Sequence, residues 1–267
     1  MSLAPISVAT LAAMKARGER IACLTCYDAS FARLLDAAGV DVILAGDSLG
    51  MVVQGHTTTI PVRLEHMAYH AACVARGRGR ALLVADLPFL ACATAERAIE
   101  SAGRLMQEGG AEVVKLEGGA PMVDTVRRLT GQGVPICAHL GLLPQSVHRI
   151  GGYRFQGRDH AAAEAIRHDA IAMQEAGASL LVLECVPAAL ASEITLTLEI
   201  PVIGIGAGSG CDGQVLVLYD MLGLNPGRAP SFSRDFLTGQ ASIADAVASY
   251  VKAVKTGEFP GRDETPH

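Results

Sequence analysis

Three acids lie at the ends of separate apolar runs in this sequence. Asp47 follows ILAG, Asp86 ends ALLVAD and Glu117 lies in VVKLEGG. If the runs are parallel strands of a barrel, their carboxyl ends lie on one face, so we expect the three carboxylates to meet there. A hard divalent cation such as Mg²⁺ relieves the repulsion between such groups and prefers oxygen ligands. We therefore predict that these acids bind a metal; the alternative is that each only caps the following helix or turn.

A lysine lies on the same apolar run as Glu117. Lys115 and Glu117 are two residues apart, so on a strand their side chains point to the same face. A lysine that points into a strand-rich interior needs an anion, which can be a neighbouring carboxylate or the carboxylate of a substrate. The residues leave both possibilities open, including a simple ion pair with Glu117.

Two further polar residues end apolar runs. Glu184 ends SLLVLE, in which the preceding residues other than Ser179 are apolar. A carboxylate in such surroundings suits a general base or acid near neutral pH, and the alternative is a buried, hydrogen-bonded glutamate. His139 lies in PICAHL and either orients a substrate oxygen or is a hydrogen-bonded core residue.

The elements that must position these residues follow one repeated order. From residue 20 a short apolar run, a turn, a helical pattern and another turn recur, and the helical patterns often end in glycine. This order predicts parallel strands joined by helices, closed into a single-domain (β/α)8 TIM barrel over residues 1–267. An extra helix over residues 7–15 closes the barrel bottom, and residues 257–267 form a loose polar tail. The predicted strands are 21–27, 40–45, 81–85, 112–116, 135–140, 179–183, 201–205 and 214–219.

Composition excludes several classes of protein. The chain has 267 residues, of which 50% are hydrophobic, and a net charge of −5 with scattered basic residues, so nucleic-acid binding is not expected. The N-terminus lacks the pattern of a signal peptide and no apolar run approaches the length of a membrane span, which predicts a cytoplasmic protein. Cys23 and Cys26 are an odd number apart on a strand and point to opposite faces, so buried, reduced thiols are expected.

The stretch GIGAGSGCDG superficially resembles a nucleotide-binding motif. The third glycine would fall on Ser209 or Cys211, and a strand pattern follows where a helix is needed. We expect a tight backbone turn that leaves room for a ligand, with a phosphate site between strands seven and eight as the alternative.

Together these residues resemble the ketopantoate (3-methyl-2-oxobutanoate) hydroxymethyltransferase family. The matching stretches are TCYDASFA, GDSLGMVVQGH, ADLPF, VKLEGG, HLGLLPQSV, GGYRFQGR, LLVLECVP, IPVIGIGAG and DGQVLV. The chain differs from the usual family pattern at Thr57, at Leu143 and in the tail. The resemblance implies a (β/α)8 barrel that uses Mg²⁺ and 5,10-methylenetetrahydrofolate to hydroxymethylate 3-methyl-2-oxobutanoate, through a metal-stabilised enolate, to 2-dehydropantoate. It also implies a homodecamer.

The resemblance implies a role for each matching residue. The metal group is Asp47, Asp86 and Glu117; from the residues, Asp47 and Asp86 are expected as direct ligands, and Glu117 binds the cation either directly or through water. The keto acid contacts Asp47, Ser48, Asp86 and Lys115, and His139 is a further expected contact. Glu184 is the proton acceptor.

Two other functions are compatible with such a barrel. One is a lyase or phosphonate mutase that acts on small 2-oxo acids, although the chain lacks the Cys-bearing KKCGH-like loop expected there. The other is a non-catalytic barrel that binds a phosphorylated ligand through GIGAGSG, which predicts no metal dependence.

Overall fold

Eight parallel strands form a closed barrel in the computed structural model, which describes residues 4–224 and 229–265. Each strand pairs with the next along the chain, and the eighth pairs with the first. This confirms the predicted (β/α)8 barrel. The strands are β1 (Ile21–Thr25), β2 (Val42–Ala45), β3 (Leu82–Asp86), β4 (Val113–Glu117), β5 (Ile136–Gly141), β6 (Leu180–Glu184), β7 (Val202–Ile205) and β8 (Gly213–Leu216).

Helices surround the barrel and join most of its strands. No helix in the described ranges has both the length and the apolar character needed to cross a membrane. The helices are α1 (Val8–Ala16), α2 (Ala29–Ala37), α3 (Leu49–Val52), α4 (Leu64–Gly77), α5 (Ala95–Gln107), α6 (Val123–Gly131), α7 (Val147–Ile150), α8 (His160–Glu175), α9 (Ala188–Thr197), α10 (Leu218–Met221) and α11 (Ile243–Thr256).

The outer helices follow the local rules for helix starts and buried faces, and α5 is an example. Thr94 caps its N-terminus by accepting a hydrogen bond from the backbone N–H of Arg97. Its buried residues recur at helical spacing, so one face packs on the sheet while the other stays in solvent. These buried residues are Ala98, Ser101, Ala102 and Leu105.

Side chains alternate between the two faces of each strand, which produces two separate apolar clusters. On β1, Ala22 and Leu24 pack outward with the helices, whereas Ile21 and Cys23 pack inside the barrel. Cys26, just after β1, belongs to the outer cluster, so it lies on the opposite face from Cys23 as predicted. The seven cysteines are free.

The N-terminal helix closes the bottom of the barrel. A reciprocal capping box between Ser7 and Thr10 starts α1. Leu11 belongs to the same apolar cluster as Ile21 and Val113, the first residues of β1 and β4, and is fully buried there. The amino ends of the strands are therefore closed by apolar packing, which leaves the carboxyl ends for a site.

The glycine-rich link between β7 and β8 contains no helix. Its glycines make room for α9: a Cβ added at Gly208 would lie 2.5 Å from the Cβ of Ala188, and one at Gly210 would lie 2.7 Å from the Cβ of Ser192. Close packing of the link against α9 therefore accounts for these glycines without a ligand.

The structure corrects the prediction of a loose tail in its described part. Phe259 is 2% exposed, and its ring packs against Phe236 and Tyr250 at centroid distances of 5.5 and 5.8 Å. Glu264 accepts two hydrogen bonds from the guanidinium of Arg234, at 2.8 and 2.9 Å. A polar composition concealed these anchors because one aromatic ring and one paired acid are enough to hold a short segment.

We expect Glu264→Gln to lower the free energy of unfolding by about 1–2 kcal/mol at pH 7, a value reduced because Arg234 is partly exposed. Burial alone would raise the pKa of Glu264, but hydrogen bonds from Arg234 and the backbone of Gly261 outweigh it and lower the pKa. A lowered native pKa stabilises the fold above the ordinary glutamate pKa of about 4.3, and this contribution is lost as the pH falls through the native value.

Urea unfolding at pH 7 and at about pH 4 measures this effect. The difference in the free energy of unfolding between the wild type and Glu264→Gln should be smaller at about pH 4 than at pH 7. Glu19→Gln is the matched control, because Glu19 also forms a two-hydrogen-bond pair, with Arg17, but both side chains are more than half exposed. An equal loss of unfolding free energy in Glu264→Gln and Glu19→Gln would contradict the account. So would a difference between the wild type and Glu264→Gln that is larger at about pH 4 than at pH 7.

Candidate active site

The inward-facing side chains of three strands change from apolar to charged toward the carboxyl end of the barrel. Because every second residue points inward, acids and a lysine at these positions must share one end of the barrel interior. The inward rows are Leu82, Val84 and Asp86 on β3; Val113, Lys115 and Glu117 on β4; and Leu180, Val182 and Glu184 on β6.

Lys115 forms a buried ion pair with Asp86. The two residues are register partners on adjacent strands, and Nζ of Lys115 lies 2.6 Å from Oδ1 of Asp86. The partner is therefore Asp86, not the Glu117 considered from the sequence. Burial alone would lower the pKa of Lys115, but the charges of Asp86, Glu117 and Asp47 outweigh it and raise the pKa, so the ammonium stays charged.

Asp47 is buried beside this pair, two residues after the end of β2. Its backbone N–H donates to Oδ2 of Asp86 at 3.0 Å, so Asp86 contacts both Lys115 and Asp47. Burial, together with the negative charges of Asp86 and Glu117, raises the pKa of Asp47 well above its ordinary value. The neighbouring Lys115 only partly offsets this destabilisation of the ionised carboxylate.

The capping alternative does not apply to these acids. In the described chain, none of the side-chain carboxylates of Asp47, Asp86 and Glu117 accepts a hydrogen bond from the first turn of the helix that follows its own strand. Asp28 shows the contrast, because its carboxylate accepts from the backbone N–H groups of Ser30 and Phe31 and caps α2. Asp28 is a structural acid, whereas the three strand-end acids need another explanation.

His139 lies between two carboxylates and is 2% exposed. Its Nδ1 is 3.6 Å from Oε1 of Glu117, and its Nε2 is 3.2 Å from Oε2 of Glu184. Neither nitrogen has a well-aligned hydrogen-bond partner among the described residues, so the contacts are mainly electrostatic. Burial and Lys115 would lower the pKa of His139, but the two carboxylates outweigh them and raise it to about 9. A charged imidazolium thus connects Glu117 with Glu184.

Glu184 lies apart from the Asp47, Asp86 and Lys115 group, with His139 beside it. The next residue, Cys185, has a left-handed backbone with φ of +48°, which is uncommon for a residue other than glycine. Its carbonyl accepts a hydrogen bond from the backbone N–H of Gln156, in the loop between α7 and α8. The end of β6 is therefore a strained turn, a feature that often accompanies functional sites.

Ser48 is oriented by a chain of hydroxyl groups that the sequence did not reveal. The hydroxyl of Tyr27 donates to Oγ1 of Thr25 at 2.8 Å, and Oγ of Ser48 lies 2.8 Å from the same tyrosine oxygen. The backbone N–H of Leu218 also donates to Oγ1 of Thr25. Tyr27 lies at the end of a predicted strand, which was the available signal, but its link to Ser48 depends on packing between neighbouring strands.

Gln145 is the second residue that sequence reasoning missed. Its side-chain Nε2 donates to Oδ2 of Asp47 at 2.8 Å, and its backbone N–H donates to Oε2 of Glu117 at 3.1 Å. It lies in a stretch that carries the family resemblance, but nothing in its spacing indicates which strand ends it would contact.

A cavity of about 490 Å³ opens above these groups, within the range of small-molecule sites. Its floor holds the predicted residues, so the structure brings all of them together. They are Asp47, Ser48, Asp86, Lys115, Glu117, His139 and Glu184. The rest of the described lining is largely apolar or aromatic and includes Met51, Val52, Tyr153, Phe155, Pro230 and Phe232.

The charges in this cavity fit a divalent cation, although no three described His, Cys, Asp or Glu side chains are already arranged as a metal site. Among the described residues, five acids line the cavity beside one lysine and one histidine. Burial, and after it the negative charges of Asp86 and Glu117, raise the pKa of Asp47, and a bound cation would offset both effects. Carboxylate oxygens are also the ligands that Mg²⁺ prefers.

A closed (β/α)8 barrel with a carboxylate and lysine cluster at its strand ends is typical of barrel enzymes. Solved structures share this fold. Phosphoenolpyruvate phosphomutase from Streptomyces platensis subsp. rosaceus has a TM-score of 0.62 at 14% identity and covers 82% of this chain and 83% of its own. An oxaloacetate acetylhydrolase has a TM-score of 0.58 at 14% identity, covering 94% and 96%. At these identities the likeness shows the fold alone.

Sequence comparison identifies the family. Residues 5–262 match the model of the ketopantoate hydroxymethyltransferase family. The 3-methyl-2-oxobutanoate hydroxymethyltransferase of Thiobacillus denitrificans is 60% identical over 260 residues, covering 97% of this chain and 98% of the relative. That of Nitrosococcus oceani is 57% identical over 255 residues, covering 96% and 97%. The chain therefore belongs to the ketopantoate hydroxymethyltransferase family and is an enzyme of the hydroxymethyltransferase class, which confirms the resemblance.

Proposed function

We propose that this enzyme transfers a one-carbon unit from 5,10-methylenetetrahydrofolate to 3-methyl-2-oxobutanoate, giving 2-dehydropantoate. The names of its relatives support the acceptor. The observation that carries the proposal is the arrangement of charge on the cavity floor. A charged Lys115 lies among Asp47, Asp86 and Glu117, and Glu184 lies apart from them beside His139.

Lys115 and Ser48 bind the keto acid in this proposal. An ammonium has three N–H donors, and the ion pair with Asp86 uses one of them, which leaves donors for the carboxylate of the substrate. Because Tyr27 donates its only hydroxyl proton to Thr25, the hydroxyl of Ser48 donates to Tyr27, and it contacts a substrate oxygen by turning away from Tyr27 when the keto acid binds. Asp47 and Asp86, assisted by Glu117, would hold a divalent cation such as Mg²⁺, which when bound would polarise the keto oxygen and acidify the adjacent C–H bond.

Glu184 acts as the general base. It removes the proton from C3 of the keto acid, and the C–H electron pair becomes the carbon nucleophile of an enolate. This carbon forms the new C–C bond with the methylene carbon of the donor, and the bonds from that carbon to the folate nitrogens break. One water supplies the hydroxyl oxygen, so keto acid, methylenetetrahydrofolate and water give 2-dehydropantoate and tetrahydrofolate. The charged His139 stabilises Glu184 as a carboxylate before the proton moves.

The apolar part of the cavity suits the donor. A five-carbon keto acid occupies only part of about 490 Å³, and the remaining volume lies next to aromatic and aliphatic side chains. Flat heteroaromatic rings bind well between such groups. Tyr153 and Phe155 come from the loop between α7 and α8, whereas Phe232 comes from the segment after α10. We place the folate ring at this mouth, above the charged floor.

An isotope label tests the proposal. With 5,10-methylenetetrahydrofolate labelled with ¹³C at the methylene carbon, 3-methyl-2-oxobutanoate and Mg²⁺, we expect ¹³C in the hydroxymethyl group of 2-dehydropantoate, measured by NMR. Cleavage of the keto acid without incorporation of the label would favour the lyase alternative and contradict the proposal.

A further inference from the structure

Gln145 joins the ends of several strands through a single side chain and its backbone. It lies in the turn Pro144–Ser146, between β5 and α7. Its side-chain amide donates to Oδ2 of Asp47 at 2.8 Å and to the carbonyl of Leu87 at 2.9 Å. Its backbone N–H donates to Oε2 of Glu117 at 3.1 Å.

These bonds fix the side chain strongly. A primary amide has two N–H donors, and both contacts of Nε2 are with acceptors that follow neighbouring strands: Asp47 after β2 and Leu87 after β3. The contact with the Leu87 carbonyl sets the position of the amide, so its other donor is directed at Asp47. The loop after β5 thus sets the position of an acid that lies three strands away around the barrel.

The chemistry of an amide suits this position. A lysine or arginine here would neutralise Asp47 and compete with a cation, whereas a neutral amide stabilises the carboxylate and leaves its charge in place. Asp47 is 4% exposed, so the donor from Gln145 replaces hydrogen bonds that the buried carboxylate cannot make with water. One oxygen of Asp47 is occupied by Gln145, and the other remains for a ligand.

We infer that Gln145 is a positioning residue that holds Asp47 and Glu117 in the arrangement that binds the divalent cation. The inference rests on the proposed function for its catalytic consequence, but its effect on metal binding does not depend on which reaction follows. Groups that orient the ligands of a metal typically alter its affinity by about 10- to 100-fold when they are replaced.

The test uses Gln145→Met and Gln145→Leu, which keep similar size and remove the donors. Titration calorimetry of the purified enzyme with Mg²⁺ alone should give a dissociation constant at least about 10-fold weaker than that of the wild type. Exchange of the C3 proton of 3-methyl-2-oxobutanoate with deuterated water should slow by a similar factor. The backbone N–H that binds Glu117 is retained in both variants, so the fold, followed by near-UV circular dichroism, should be unchanged. Gln132→Met is the matched control, because Gln132 is exposed at the end of α6.

Unchanged Mg²⁺ affinity in a folded variant would overturn the inference and leave Gln145 as a turn residue. Loss of native structure in both variants would also overturn it, because the role would then be one of folding. The two proposals fail separately. If the Gln145 variants bind Mg²⁺ more weakly but the wild-type enzyme makes no labelled 2-dehydropantoate, the positioning role is supported and the proposed reaction is contradicted. If the wild-type enzyme makes labelled 2-dehydropantoate but the variants bind Mg²⁺ as tightly as the wild type, the proposed reaction is supported and the positioning role is contradicted.

Discussion

Glu184→Gln is expected to lower kcat by about 1,000-fold, within the range typical for loss of a general base. Glutamine has nearly the same shape but cannot accept the C3 proton. Exchange of that proton with deuterated water, followed by NMR without any folate, should fall to the uncatalysed rate. The affinity for 3-methyl-2-oxobutanoate should be unchanged, because the substitution does not alter Lys115 and Ser48, which bind the keto acid.

The separation of roles makes this result specific. Glu184 contacts His139 and not the ion pair of Lys115 with Asp86, so its replacement should leave the acid-binding groups in place. Glu193→Gln is a suitable control, since Glu193 lies on α9 and pairs with Arg167. Exchange at a rate near that of the wild type in Glu184→Gln would remove this residue from the proton transfer.

Asp47→Asn should have opposite effects on activity and stability. We expect kcat to fall by about 1,000-fold and the affinity for Mg²⁺ to fall by at least about 100-fold, because a charged oxygen ligand is lost. The metal-free variant should nevertheless be as stable as the metal-free wild type, or more stable. The reason is that burial, together with the negative charges of Asp86 and Glu117, disfavours the ionised carboxylate of Asp47 in the folded protein.

Thermal unfolding in the presence of a chelator and again with Mg²⁺ measures both effects. Added Mg²⁺ should raise the midpoint of the wild type and have little effect on the variant. Asp124→Asn serves as the control, because the side chain of Asp124 is 72% exposed on α6. A metal-free variant that is clearly less stable than the wild type would mean that Asp47 is a structural acid.

The positions of the charged residues were predictable because strands have a period of two. Once Lys115 and Glu117 are assigned to one strand, alternation places both inside the barrel, and the position of Glu184 at the end of its run places it at the same level. The closed barrel follows equally from the order of strands and helices. Both inferences use only neighbours in sequence.

The pairing of these residues was not predictable, since it depends on register between strands. Lys115 pairs with Asp86 because β3 and β4 align these positions, and no spacing along one strand contains that information. The same holds for Gln145, whose partners follow other strands. The described tail was missed for a related reason, because Glu264 is anchored by an arginine 30 positions away.

The structure also separates this chain from a barrel that only binds a phosphorylated ligand. Gly208 and Gly210 of the link between β7 and β8 are explained by contact with α9, whereas the buried charges lie on the cavity floor. The five acids that line the cavity would repel a phosphate group.

The central claim is that the carboxylate cluster needs a divalent cation to convert the keto acid. Its most direct test is the formation of 2-dehydropantoate from 3-methyl-2-oxobutanoate and 5,10-methylenetetrahydrofolate by enzyme stripped with a chelator, before and after Mg²⁺ is restored. We predict no product above background from the stripped enzyme and full recovery on addition of Mg²⁺. Undiminished turnover by the stripped enzyme would contradict the account.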